Sequence, residues 1–95
     1  MIVPIHGLKY HSFEPVNIDD SLILVKEKDN IFDDNAVAVF NLKNQKVGYV
    51  SAKSSRNIKV RSKMQQEQIL GKVWSISRSQ ILIELDFSNN TPPNN

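Results

Sequence analysis

Short apolar runs broken by Asn, Asp, Ser, Gly and Pro divide this chain into strand-length pieces joined by polar turns. Residues 5–10 alternate loosely in polarity around Gly7 and predict a first strand with a bulge, on which Lys9 and Tyr10 fall on opposite faces. Residues 11–20, with Pro15, Asn17, Asp19 and Asp20, form a connection. The run 21–25 is continuously apolar and predicts a strand buried on both sides for most of its length. Residues 36–40 and 47–50 are two further apolar runs separated by the polar cluster 41–45, the signature of a β-hairpin. Residues 69–76 and 80–87 predict a last pair of strands joined by Ser77, Arg78 and Ser79. In the second of these, Ile81, Ile83 and Leu85 alternate with Leu82, Glu84 and Asp86.

Between hairpin and final pair the character changes. Lys53, Arg56, Lys59, Arg61 and Lys63 occur with no acidic residue until Glu67. Ser54 or Ser55 is a candidate N-cap, and Asn57, Val60 and Met64 share a helical face, although Ile58, Val60 and Met64 also fit a period of two. A short helix between Lys53 and Gln66 is the reading adopted. Six strands and one helix predict a mainly β fold, a small, strongly bent OB- or SH3-like barrel over residues 1–88, with the polar run 89–95 a disordered tail.

Ninety-five residues give one domain and room for one site. Without cysteine there are no disulfides and no thiolate zinc site, which fits a cytoplasmic protein. The start carries no basic segment followed by a long apolar one, and no run approaches the roughly 18 residues of a membrane helix, so a soluble chain is expected. A net charge of +2 does not by itself imply nucleic acid; the distribution of that charge matters more. With three glycines there is no phosphate-cradling loop with a lysine. His6 and His11, five positions apart, fall on neither one helical face nor one strand face, and Asp33 and Asp34 are adjacent and point apart. A metal centre, a cofactor and a nuclease activity are therefore not expected, and the chain reads as a non-enzyme.

The loop before the hairpin is the unusual stretch. Asn30, Asp33, Asp34 and Asn35 surround the aromatic Phe32, and residues of this kind hydrogen-bond their own backbone to stabilise a turn. The order Glu27, Asp29, Asn30, Phe32, Asp33, Asn35, Ala36, Val37, Val39, then Val47, Gly48, Tyr49, Val50, resembles the HIRAN domain family, whose pattern reads N-P-Y/F-D-x-N-A-I-x-V followed by V-G-Y/H-L. Gly7, Leu8, Lys9 and Tyr10 are similar to the family's opening G-x-R/K-Y/F. Ile31 stands where the family usually has proline, which loosens the loop. Lys9 stands where arginine is common and does not fork onto a phosphate.

The resemblance implies a module for single-stranded DNA ends bearing a 3′-hydroxyl, with a place in DNA repair or replication and a helicase or nuclease as candidate partner. Asp33 would accept a hydrogen bond from the terminal hydroxyl, and Asn30 in the same loop would belong to the DNA-binding set. Tyr10 and Phe32 would flank the terminal base, with Tyr49 near the next one and Trp74 a further stacking candidate. Lys9 and Lys53 would meet phosphates. The plainer readings are that Asp33 and Asn35 cap a turn, that Phe40, Phe87 and Trp74 are core, and that the basic helix is a solvated face. The alternative function is a protein-interaction barrel that keeps the fold without binding DNA.

Overall fold

Alternation of apolar side chains is what the sheet uses to make one inner face. The computed structural model describes residues 1–27, 30–31, 33–51, 54–78, 80–85 and 87. Its strands are β1 (Ile2–Pro4), β2 (Ser21–Lys26), β3 (Val37–Phe40), β4 (Lys46–Tyr49), β5 (Gln68–Ile76) and β6 (Ile81–Leu85), and its helix is α1 (Ser54–Lys63). They form a single antiparallel sheet in the order β1-β6-β5-β2-β3-β4, curled into the small barrel the pattern predicts. On β5 and β6 the inward residues are Ile69, Val73, Ile81, Ile83 and Leu85, and β2 and β3 add Leu22, Leu24, Val37 and Val39. Val60 of helix α1 and Met64 just past its end pack into this core, and Asn57, which shares their face in the sequence, is buried beside them in the helix. Its end is tied to β2, because Lys26 Nζ donates to the carbonyl of Met64 at 2.9 Å and so places a cation at the negative end of the helix.

The hairpin turn is built from asparagine. Asn41 Oδ1 accepts from the backbone N–H of Lys43 and of Gln45 at 3.0 and 2.9 Å, and Asn44 takes the left-handed conformation at φ 64°, which asparagine tolerates well.

Two expectations need correction. The first strand is Ile2–Pro4, paired with β6, and not residues 5–10. Gly7 adopts φ +82° and ends the extended path, so Leu8–Tyr10 wind into a 3₁₀ turn and Lys9 and Tyr10 lie on no strand. The apolar spacing of that segment imitates a strand because Leu8 still packs against the core. In β2, only Leu22 and Leu24 are fully buried, while Ile23 and Val25 are half-buried. An antiparallel sheet with one wetted face leaves alternate residues outside even when all are apolar.

The path between β1 and the 3₁₀ turn closes the sheet. Ile5 donates to Ile81 of β6 at 2.9 Å, and the next residue, His6, exchanges backbone hydrogen bonds of 2.8 and 2.9 Å with Tyr49 of β4. Among the described residues a single bridge thereby joins the segment after β1 to the edge strand β4 and holds the curled sheet together at that point. This closure needs a glycine: a Cβ on Gly48 would stand 2.3 Å from the His6 carbonyl oxygen and 2.8 Å from Ile5 Cγ2.

Candidate functional site

The Asp33 loop is organised by short side chains bonding to the backbone. Asn30 Oδ1 accepts from Asp33 N at 3.1 Å, Asp33 Oδ1 accepts from Asn35 N at 2.9 Å, and the Asp33 carbonyl accepts from Ala36 N at 3.1 Å. The turn-capping reading of Asp33 and Asn35 therefore holds for one carboxylate oxygen. The other oxygen, Oδ2, accepts from Asn57 Nδ2 of α1 at 2.7 Å, and the same nitrogen donates to the carbonyl of Ser51 at 3.0 Å.

Beside the loop lies a second polar group. Glu27 accepts from Asn30 Nδ2 at 3.0 Å, from Lys46 Nζ at 3.0 Å and from the Tyr49 hydroxyl at 3.1 Å, and Lys46 also donates to that hydroxyl at 3.0 Å. Burial alone would push the Glu27 carboxyl up, but the bonds from Lys46 and Asn30 and the Lys46 charge outweigh it and hold the group below its ordinary value. Lys46 shows the counterpart: burial works downward, and its bonds to Tyr49 and Glu27 together with their charges raise it above the usual lysine value. This anchoring fixes the Tyr49 ring, which leans on His11 with centroids 6.1 Å apart and planes at 58°.

These pieces line one open cavity of about 490 Å³, with Asn30, Asp33 and Ala36 from the loop, Tyr49 and Ser51 from and after β4, Asn57 from α1, and His6, Gly7, Tyr10 and His11 from the closing segment. Tyr10 stands at its mouth with 74 % of its surface exposed. Of the residues singled out in the sequence, Tyr10, Asn30, Asp33 and Tyr49 are brought together here. Lys9 adjoins them, its ammonium 5.1 Å from the Tyr10 ring centroid, in a neighbouring hollow that also holds Arg78. Phe32 and Lys53 lie outside the described residues. Trp74 is elsewhere and is not core: it points outward from β5, 54 % exposed, at a bulge where Val73 and Ser75 pair with Ile83 and Leu82. Phe40 and Phe87 are half-buried, Phe87 against the core. In the basic helix Arg56, Lys59 and Lys63 are exposed, whereas Arg61 reaches back to the carbonyls of Ala36 and Glu27 at 3.0 and 3.3 Å and braces the loop.

Sequence reasoning missed His6, His11, Ser51 and Asn57 as cavity residues, the Glu27–Lys46 pair behind Tyr49, and Arg78 beside Lys9. Asn57 alone left a usable signal, a polar residue on an otherwise apolar helical face. Among the described residues, its Oδ1 and His6 Nε2 are buried side-chain atoms with no hydrogen-bond partner. No group of three or more His, Asp or Glu that would hold a metal occurs among the described residues, and no helix there is long and apolar enough to cross a membrane.

Comparison with known proteins follows the same lines. No curated protein matches the chain by sequence. Among solved structures, the fold is similar to that of a protein from Lactobacillus plantarum, with a TM-score of 0.74 and 22% identity over 88% of this chain and 87% of that one. It is also similar to the HIRAN domain of human HLTF, with a TM-score of 0.70 and 21% identity over 90% of this chain and 71% of the other. The sequence profile of the HIRAN domain matches residues 1–88. With the loop, the hairpin and the curled six-stranded sheet all in agreement, this chain belongs to the HIRAN domain family, which is linked to DNA binding.

Proposed function

We propose that this protein is a non-catalytic module that binds single-stranded DNA and recognises a free 3′-hydroxyl end through Asp33 and the aromatic residues around it. The observation that carries the reading is the position of the Asp33 carboxylate, held by Asn35 N and Asn57 Nδ2 at the wall of a cavity whose mouth bears the exposed Tyr10 ring. A carboxylate accepts strongly from a hydroxyl and repels a phosphate at the same point. An exposed ring stacks on any base, worth roughly 1–3 kcal/mol per base. Lys9 beside Tyr10, with Arg78 close by, supplies positive charge for the backbone that leads to the end. Asn30 acts by shaping the loop, and Tyr49 by its ring, since its hydroxyl is engaged by Glu27 and Lys46. A helicase or nuclease that works on the same end is the partner class this activity fits.

The test is a fluorescence-anisotropy titration with oligonucleotides ending in 3′-hydroxyl or 3′-phosphate. Wild-type protein is expected to prefer the hydroxyl. Asp33→Asn should lose about 1–2 kcal/mol on that end, the difference between charged and neutral hydrogen bonds, and should narrow the preference. Tyr10→Ala should weaken both ends alike, because stacking does not sense the terminal group. Equal binding of the two ends by wild-type protein, which needs no variant to fold, would refute the end-recognition reading.

A second reading, a protein-interaction barrel, draws on the outward apolar residues of β5, Leu70, Trp74 and Ile76. Absence of oligonucleotide binding at low salt would favour it.

A further inference from the structure

We infer that the groove between β1 and α1 takes a short, extended, acidic segment of a partner protein, which adds a strand to the outer edge of β1 while its carboxylates meet Arg56 and Lys59. This groove shares no lining residue with the cavity at Asp33, and the inference does not depend on the 3′-end reading.

The ladder between β1 and β6 fixes which backbone groups of β1 look outward. Leu85 N donates to the Met1 carbonyl at 2.8 Å and Ile5 N to the Ile81 carbonyl at 2.9 Å, in a register that sets Ile2 opposite Glu84, Val3 opposite Ile83 and Pro4 opposite Leu82. In an antiparallel pair such bonds fall on alternate residues, so the odd positions serve β6 and the even ones turn away from it. His6, the next even position, spends its N–H and C=O on Tyr49 of β4. Ile2 and Pro4 look out on that same side. Because β1 ends the sheet, no strand among the described residues pairs with them there. The seam is bridged at His6 and open before it.

Helix α1 stands across this opening. A groove of about 270 Å³ is lined by residues 1–4 and by Arg56, Lys59 and Val60. Ile2 is 43 % exposed, so the edge is within reach of a partner. Arg56 and Lys59 lie one turn apart on the helix, are exposed, and pair with no carboxylate among the described residues. The lining contains no acidic side chain, while Val3 and Val60 give it an apolar part. Edge and charge together decide the occupant. Ile2 presents one donor and one acceptor and Pro4 one acceptor, at strand spacing, and a peptide backbone brings the complementary groups at that spacing. A phosphate backbone brings acceptors only and would face two carbonyl oxygens. The two cations then select acidic side chains among peptides. Pro4 has no N–H, which limits the pairing to three hydrogen bonds and keeps two copies of this edge from zipping together.

The test uses the full chain and a fluorescein-labelled, end-capped hexapeptide of alternating glutamate and valine, followed by anisotropy at low salt. Two copies serve as controls, one with lysine in place of glutamate and one with every backbone nitrogen methylated. The acidic peptide should bind and slow hydrogen exchange at the Ile2 amide, and both copies should bind about tenfold more weakly. Ile2→Pro removes one outward donor while leaving every hydrogen bond to β6 in place, and should weaken the acidic peptide about fivefold. Arg56→Glu combined with Lys59→Glu, two exposed positions, should weaken it about tenfold. An N-methylated peptide that binds as well as its parent, or an unchanged exchange rate at Ile2, means attraction by charge alone and overturns strand addition. Equal binding of the acidic and lysine peptides overturns the role of the two cations. If no peptide binds and the double charge reversal instead costs affinity for an oligonucleotide, the groove serves nucleic acid and the inference is wrong.

Discussion

Glu27 holds Asn30, Lys46 and Tyr49 at once, so one carboxylate sets both the Asp33 loop and the ring of the cavity wall. The side chains of Lys46 and Glu27 are 29 % and 23 % exposed, which puts their ion pair near the top of the surface range, about 1 kcal/mol. Folding lowers the Glu27 carboxyl from 4.5, so its stabilisation is present above that value and is lost as pH falls through the lower folded value. Folding raises Lys46 from 10.5, so its contribution is present below that value and is lost only as pH rises through the higher folded one. Between these limits the pair contributes fully. Glu27→Gln should therefore lower stability by about 1 kcal/mol at pH 7 and by almost nothing near pH 3, read by urea unfolding at both pH values. A loss of equal size at both would mean that shape, not charge, is what Glu27 supplies.

Among the elements, the bridge between His6 and β4 is the joint on which the cavity depends, because His6 and Tyr49 line it from the two sides of the seam. Gly48→Ala would drive a methyl into the His6 carbonyl, a backbone atom that cannot step aside without breaking the two hydrogen bonds of the bridge. The expected cost is about 2–3 kcal/mol, or roughly 10–20 °C in Tm by thermal unfolding. Gly71→Ala is the contrast: its Cβ would meet the Leu24 side chain at 3.1 Å and the Glu84 carbonyl at 3.2 Å, a tightness that small shifts relieve. An equal loss in both variants would show that close packing in general, and not the bridge, is at stake. The hairpin and the last strand pair were legible because their information is local: a period of two in the side chains and asparagine chemistry in the turn. The first strand was not, because Gly7 decides it by taking a left-handed φ, and apolar spacing on either side of a turn looks like apolar spacing along a strand.

On the scale of the whole molecule, the net charge of +2 says little, and the grouping of Lys9 and Arg78 beside Tyr10 says more. Binding through two or three phosphates should give a slope of log affinity against log salt of about −1.5 to −2, and Lys9→Ala should make it shallower by about 0.7, measured by titration from low to physiological salt. A slope unchanged by Lys9→Ala would remove that residue from the contact. By itself the sequence determined that short strands and one helix would form, that Asn30 and Asp33 would shape a turn, and that Asn57, Val60 and Met64 would share a face, because alternation, turn chemistry and helical period are properties of neighbouring residues. It left open which surface each face would meet. Trp74 could be assigned to a strand but not to its outer side, since alternation defines two faces without naming the buried one. Only the tertiary structure decided that Asn57 would meet Asp33 across a separation of 24 positions and that the closing segment would bring Tyr10 and His6 to the same cavity, because those contacts come from the way the sheet curls and closes, which no local pattern encodes.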